Sequence, residues 1–252
     1  MNEIEYNLLD EKWIKVLKND GKMETVGLKE VFSKAHEFKS LSGDIPTQDL
    51  AIFRVLLAVM YSIYQREDVD GSESHLEFKN DAYERWHSLW SQKKFNPEVT
   101  DGYFEKYRDR FYLFHPSRPF FQSPIKTGTA YSVPKLNGEL SESNNKVRLF
   151  STVGGDCKKN MDYGDAARWL LHVNAFDDTA SKSKDKTQQL PSPGPGWLGK
   201  IGPVFIEGEN LFETLLLNFV LLDEYQEVFP EGQTIWESDL VKTSESALNR
   251  NP

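Results

Sequence analysis

Apolar positions along the chain predict a mixed succession of short strands and helices. Trp13-Ile14-Lys15-Val16-Leu17 has strand character, and Asn19-Asp20-Gly21 is a turn signal leading into Met23-Glu24-Thr25-Val26, so this region predicts a β-hairpin. Leu28, Val31, Phe32 and Ala35 then recur at helical spacing, predicting a helix over 28–38. Pro46-Thr47 opens a strong helical pattern with Thr47 as the expected N-cap and a wide apolar face of Leu50, Phe53, Leu56, Leu57, Met60 and Tyr64. Residues 68–77 are acidic and turn-like. Helical patterns resume at Asp81–Trp90 and Glu98–Arg108, and Phe111-Tyr112-Leu113-Phe114 predicts a short buried strand.

Beyond this point the character changes. Pro116 to Pro134 holds four prolines with little periodicity, and Leu136 to Asn160 is rich in Asn, Ser, Gly and Lys. A helix is expected at Asp165–Phe176, with Ala166, Leu170, Val173 and Phe176 on its apolar face, and an exposed Ser/Lys/Gln- and Pro/Gly-rich loop over Thr179–Gly199. Pro203-Val204-Phe205-Ile206 reads as a short strand. Asn210 followed by Glu213 is close to a capping box and starts a helix predicted to run from Leu211 to Leu222, buried because it is apolar nearly all round. After Pro230 the chain is acidic and polar and suggests no closing element. The pattern as a whole predicts an α+β fold with a helical majority, a few short strands, and long irregular loops between residues 116 and 203. Irregular chain of that length in a compact domain points to function or disorder.

At 38% hydrophobic and 13% aromatic residues the chain has enough apolar material for a core, which excludes wholesale disorder. The longest apolar runs, Ala51–Tyr64 and Leu211–Leu222, fall short of the ~20 residues a membrane span needs, and the acidic N-terminus lacks the basic n-region of a signal peptide. A cytoplasmic protein with no membrane partner is therefore the expectation. A single cysteine, Cys157, excludes a disulfide framework and a multi-cysteine zinc site.

The net charge of −9 argues against indiscriminate coating of nucleic acid, but the charge is unevenly spread. Residues 201–252 carry 2 basic and 10 acidic side chains, whereas residues 125–200 carry 11 basic and 8 acidic. The irregular part of the chain is thus the basic part, which permits one focused phosphate contact, or equally a solvated lysine-rich loop.

The residues show no recognisable catalytic set. None of the five histidines, His36, His75, His87, His115 and His172, has metal-ligand spacing, and no nucleophile elbow is present. No catalytic residue, metal or cofactor is assigned. Gly194-Pro195-Gly196-Trp197-Leu198-Gly199 matches Gly-x-Gly-x-x-Gly in form, but the prolines before it reject a dinucleotide fingerprint, which needs a preceding strand and a following helix. What remains is a loop able to approach another group closely, with Trp197 and Lys200 beside it. A proline-glycine turn with Trp197 tucked into the core is an equally open reading. A second cluster, Lys146, Arg148 and Phe150 with Lys158 and Lys159, interleaves basic side chains with an aromatic, as single-stranded nucleic acid recognition does and as many exposed basic loops also do.

Several segments in order resemble a known family. Asn7-Leu8-Leu9-Asp10-Glu11-Lys12-Trp13-Ile14, Phe111-Tyr112-Leu113-Phe114-His115 with Pro119-Phe120-Phe121-Gln122, and Gly208-Glu209-Asn210-Leu211 with Thr214-Leu215-Leu216-Leu217-Asn218 are similar to the CasA family, the large subunit of the type I-E CRISPR Cascade complex. The likeness spans residues 7 to about 237. It implies a protein without catalysis of its own that joins other Cascade subunits and a CRISPR guide RNA. Such a protein reads the protospacer-adjacent motif in double-stranded target DNA and offers a landing site to a helicase-nuclease, a division of labour in which guide pairing reads sequence and protein reads a short motif. By position, the family's guide-RNA and DNA loop falls on Lys146, Arg148, Phe150, Lys158 and Lys159, and its DNA-approaching glycine loop on Gly194, Gly196, Trp197, Gly199 and Lys200.

Three departures accompany the resemblance. Pro195 and Trp197 make the glycine loop stiffer and bulkier than a plain glycine run. The family's glutamine wedge lies further along than Pro252, so Gln188, Gln189, Gln226 and Gln233 do not take that role. The family's C-terminal helical bundle is also absent, so residues 1–252 are expected to be the N-terminal portion of a longer protein. Two alternatives remain on the residues alone: a small-molecule enzyme using the aromatic interior as a pocket, and a protein-binding scaffold with no nucleic-acid role.

Overall fold

The computed structural model describes residues 4–122, 133–137, 160–176 and 196–238. Its elements in chain order are β1 (Glu5–Asn7), β2 (Ile14–Lys18), β3 (Met23–Val26), α1 (Leu28–Lys34), β4 (Phe38–Leu41), α2 (Pro46–Tyr64), α3 (Lys79–Gln92), α4 (Pro97–Lys106), β5 (Tyr112–Phe114), α5 (Val133–Leu136), α6 (Tyr163–Phe176) and α7 (Leu211–Leu217). The fold is α+β, with helix predominating.

The hairpin forms as the sequence predicts, with Ile14 opposite Val26 and Leu17 opposite Met23. A third strand, β4, pairs antiparallel on the far side of β2, giving the order β3-β2-β4. Sequence periodicity placed Phe38, the first residue of β4, at the end of a helix. Phe38 falls three residues after Ala35, where a helix would also bury it, so the pattern does not distinguish the two states. In the structure α1 stops at Lys34, a single 3-10 turn covers Ala35–Glu37, and buried Phe38 begins the edge strand. A separate two-stranded ribbon pairs β1 with β5, Glu5 opposite Phe114 and Asn7 opposite Tyr112.

Helix α2 is the central element. Ile52, Leu56, Val59, Met60, Ile63 and Tyr64 are fully or nearly fully buried, and α4, α6 and α7 pack around the helix. An aromatic cluster fills the space beside it: Phe95 lies 5.3 Å from Phe32 and 4.8 Å from Phe212 between ring centroids. Such offset and edge-on contacts add to the burial term. The N-terminus of α2 differs from expectation. Ile45 is the N-cap and has no side-chain acceptor to offer, and Pro46 follows in the first turn, where its missing N–H leaves no helical bond unmade. Thr47 instead pairs its Oγ1 with His172 Nε2 at 3.1 Å. At the other end, buried Arg85 on α3 donates to the carbonyls of Tyr64, Glu67 and Ser74 and pairs with Asp68 at 3.2 Å, tying the loop after α2 to the helix pair.

Four further differences lie in the C-terminal half. On α6 the buried positions are Gly164, Ala167, Arg168, Leu171 and Ala175, one step round from the predicted face, because the guanidinium of Arg168 turns inward to Asp165 and to the Trp13 carbonyl at 2.6 Å. Helix α7 ends at Leu217 rather than Leu222. Asn218 terminates it by donating Nδ2 to the carbonyls of Thr214 and Ile206, both at 2.7 Å. Residues 203–206 form no strand, since no neighbouring strand lies beside them among the described residues. Finally, the acidic stretch after Pro230 does close the domain. Trp236 is buried against Phe111, its Nε1 donates to Tyr103 Oη at 2.7 Å, and Arg66 holds Glu237 at 2.7 Å.

Candidate nucleic-acid interface

Of the positions singled out in the sequence, Gly194 and the whole set Lys146, Arg148, Phe150, Lys158 and Lys159 lie outside the described residues. Gly196, Trp197, Gly199 and Lys200 are described and form one compact unit. Trp197–Lys200 is a 3-10 turn packed on the C-terminal end of α6, with the Gly199 N–H donating to the Gly196 carbonyl at 2.9 Å. Consecutive side chains of this turn differ in burial: Leu198 is 4% exposed and joins the core, whereas Trp197 is 54% exposed. The tryptophan is therefore not tucked into the core.

The glycine at 196 has a specific reason. A Cβ there would stand 2.3 Å from the carbonyl oxygen of Ala175 and 2.7 Å from the Phe176 nitrogen. The close approach that a missing side chain permits is thus made to the backbone of α6. Pattern reasoning foresaw a close approach to another group without naming it, and the resemblance implied DNA for the loop.

Arg54, which the sequence reading missed, stands over the exposed indole with its guanidinium carbon 4.9 Å from the ring centroid. It is the one basic residue of α2, flanked by Phe53 and Val55, and that isolation within an apolar helix is the signal that marks it. Trp197 and Arg54 together place a flat aromatic surface beside a cationic side chain, and Lys200 ends the same turn. That combination suits a base face and a phosphate, because rings stack on any base and cations follow the backbone.

Between β4, the start of α2 and α7 lies a cleft of about 400 Å³ lined by Leu41, Thr47, Asp49, Phe53, Phe205 and Leu211 among others. Burial pushes the Asp49 carboxyl up to about 6, against the opposing hydrogen bond it accepts from the Gly43 N–H at 2.7 Å. His172 meets this wall through Thr47. His115 is engaged locally, its Nδ1 accepting from the Arg118 N–H at 2.9 Å. No group of His, Cys, Asp and Glu suited to a metal ion occurs among the described residues. Nor is any helix among them long and apolar enough to cross a membrane.

The α+β fold built around α2 defines the class first: it is that of solved CRISPR-associated proteins. The crystal structure of Thermobifida fusca Cse1 matches it with a TM-score of 0.72 at 28% identity, covering 98% of this chain and 46% of that one. A chain of a structure described as a CRISPR RNA-guided surveillance complex shares the fold with a TM-score of 0.72 at 22% identity, covering 94% of this chain and 47% of that one. The CasA/Cse1 protein of Thermus thermophilus is 32% identical over 216 residues, 85% of this chain and 39% of its own length. A sequence model of the family described as CRISPR-associated protein Cse1 matches residues 7–252, and the chain belongs to that family. It spans less than half the length of these relatives.

Proposed function

We propose that this chain acts as a non-catalytic subunit of an RNA-guided antiviral surveillance complex, contacting guide RNA and duplex target DNA and working beside other subunits. Within that role it reads the short protospacer-adjacent motif and helps bring a helicase-nuclease to the target. The observation that carries the reading is the family match across residues 7–252, supported by the fold shared with a chain of a surveillance complex. The Trp197 turn contributes a stacking surface with Arg54 and Lys200 at hand for phosphate. The basic stretch holding Lys146, Arg148, Phe150, Lys158 and Lys159 supplies the second contact. Minor-groove edges distinguish little more than A·T from G·C, so a reader on that side tolerates several related motifs.

The test is target-DNA binding by the complex reconstituted with its guide RNA, measured across salt concentrations. Lys200→Ala is expected to weaken binding and to lower the log–log salt slope by about 1, the signature of one lost phosphate contact. Alanines at Lys158 and Lys159 should add to the loss. Affinity and slope unchanged in all these variants would overturn the assignment.

A further inference from the structure

Between the Trp197 turn and α7, the chain runs exposed from Gly202 to Glu207. Val204 is 93% exposed, Ile206 58% and Phe205 43%, three consecutive apolar residues facing solvent. Among the described residues, the backbone here is held from one side only. Asn218 brackets Ile206: its Oδ1 accepts the Ile206 N–H at 2.9 Å and its Nδ2 donates to the Ile206 carbonyl at 2.7 Å. A side-chain amide thus takes the place of a neighbouring strand. The far end is anchored on α7, where the Gly208 N–H donates to Thr214 Oγ1 at 3.0 Å and a Cβ on Gly208 would lie 2.5 Å from the Glu213 Cβ.

Side chains along this segment alternate with a period of two. Phe205 and Glu207 line the cleft beside β4, Phe205 lying 5.5 Å from Phe53 between ring centroids, while Val204 and Ile206 are the more exposed. That is the geometry of a strand, in which successive N–H and C=O groups also face opposite edges. Phe205 and Glu207 therefore present their backbone groups on the edge away from Asn218. Among the described residues, the backbone of neither makes a hydrogen bond.

We infer that Val204–Glu207 is a pre-shaped strand edge that receives an extended segment of a partner protein, apolar at alternate positions and basic where it passes Glu207 and Glu209. The free edge asks for alternating carbonyls and amides, which an extended polypeptide supplies and nucleic acid does not. Exposed Glu207 and Glu209 repel phosphate and attract Lys or Arg. The cleft gives the added strand a socket, because an apolar side chain pointing the same way as Phe205 meets Leu41, Leu50, Phe53 and Leu211. An unpaired apolar edge left open is a known route to unwanted pairing, and a dedicated partner strand removes that exposure. The inference stands whether or not the Trp197 turn touches nucleic acid.

The test selects a displayed library of peptides of roughly nine residues, the length of a long strand, on the purified chain. Enriched sequences should alternate apolar positions and carry Lys or Arg. A synthetic peptide from the selection should slow hydrogen exchange at the Phe205 and Glu207 amides. Methylating its alternate backbone nitrogens should abolish binding, and Glu207→Lys should weaken it by about tenfold or more. Glu207→Pro removes one edge donor and should likewise weaken binding; Val204→Lys, at a fully solvated position, gives a second variant that leaves folding untouched. No enrichment, enrichment without alternation, or binding indifferent to N-methylation and to Glu207→Pro would overturn the inference. So would protection mapped elsewhere on the chain.

Discussion

Gly196→Ala tests the turn most directly, because it separates packing against α6 from contact with DNA. The added Cβ would meet the Ala175 carbonyl oxygen at 2.3 Å, its carbon at 2.4 Å and the Phe176 nitrogen at 2.7 Å. These are backbone atoms at the end of a helix, so the contact is relieved only by lifting the turn or fraying α6. Lifting the turn withdraws Leu198 from the core, and full exposure of such a side chain is worth ~1.5–3 kcal/mol. Overpacking a close contact typically costs ~1–3 kcal/mol. A local destabilisation of about 1–3 kcal/mol is expected, read as faster hydrogen exchange at Gly199 and Ile201, whose amides donate to Gly196 and Leu198 within the turn. Gly202→Ala is the control. Nothing lies within 4 Å of a Cβ at Gly202, so that variant should be neutral or stabilised by ~0.4–1 kcal/mol through the unfolded chain. If Gly196→Ala leaves exchange at Gly199 unchanged in the isolated chain and lowers only DNA affinity in the complex, the glycine serves the nucleic acid directly and the packing argument fails.

Three other perturbations have defined outcomes. Asp49 has its carboxyl raised from 3.8 to about 6, mainly by burial, so its favourable contribution is fully present below pH 3.8 and is lost as pH rises through about 6. Asp49→Asn should therefore flatten the fall in stability between about pH 4 and 7, and it should be the more stable protein at pH 8; urea unfolding that shows parallel pH profiles would refute this. Arg85→Met leaves the carbonyls of Tyr64, Glu67 and Ser74 without their donor in a buried site and should cost about 3 kcal/mol, seen as a lower denaturation midpoint at unchanged slope. In the complex, Trp197→Ala should lower DNA affinity more than Arg54→Ala, and the reverse order would remove the indole as the stacking surface.

Legibility in the sequence follows the range of the forces involved. The hairpin was readable because Asn19-Asp20-Gly21 and its flanking strands are contiguous, and α2 because nineteen residues keep one period. Strand β1 left no local mark: its three residues become a strand only by meeting Tyr112–Phe114. The same limit explains residues 203–206, whose strand-like pattern is real but whose partner is missing among the described residues. Asn218 shortened α7 through contacts to Ile206 that no helical periodicity encodes. Arg168 displaced the buried face of α6 because an arginine with an acceptor such as the Trp13 carbonyl can be buried, against the usual expectation for its type.

At the candidate interface, sequence pattern supplied a glycine, an aromatic and a lysine, but left open whether the unit hides its tryptophan or presents it. The 3-10 geometry resolves this, since adjacent side chains at three residues per turn diverge by about a third of a circle. Leu198 can then anchor while Trp197 stays outside. An indole presented from an anchored turn loses less freedom on binding than one on a free loop, and that loss is a main term opposing association. Arg54 adds to the same effect by covering the ring in the unbound state. An exposed cation–π contact is worth ~0.5–1 kcal/mol, less than the ~1–3 kcal/mol of a base stacked on an aromatic. In the proposed role a base would displace the guanidinium from the ring and leave Arg54 beside the bound strand, where a phosphate is its natural next partner.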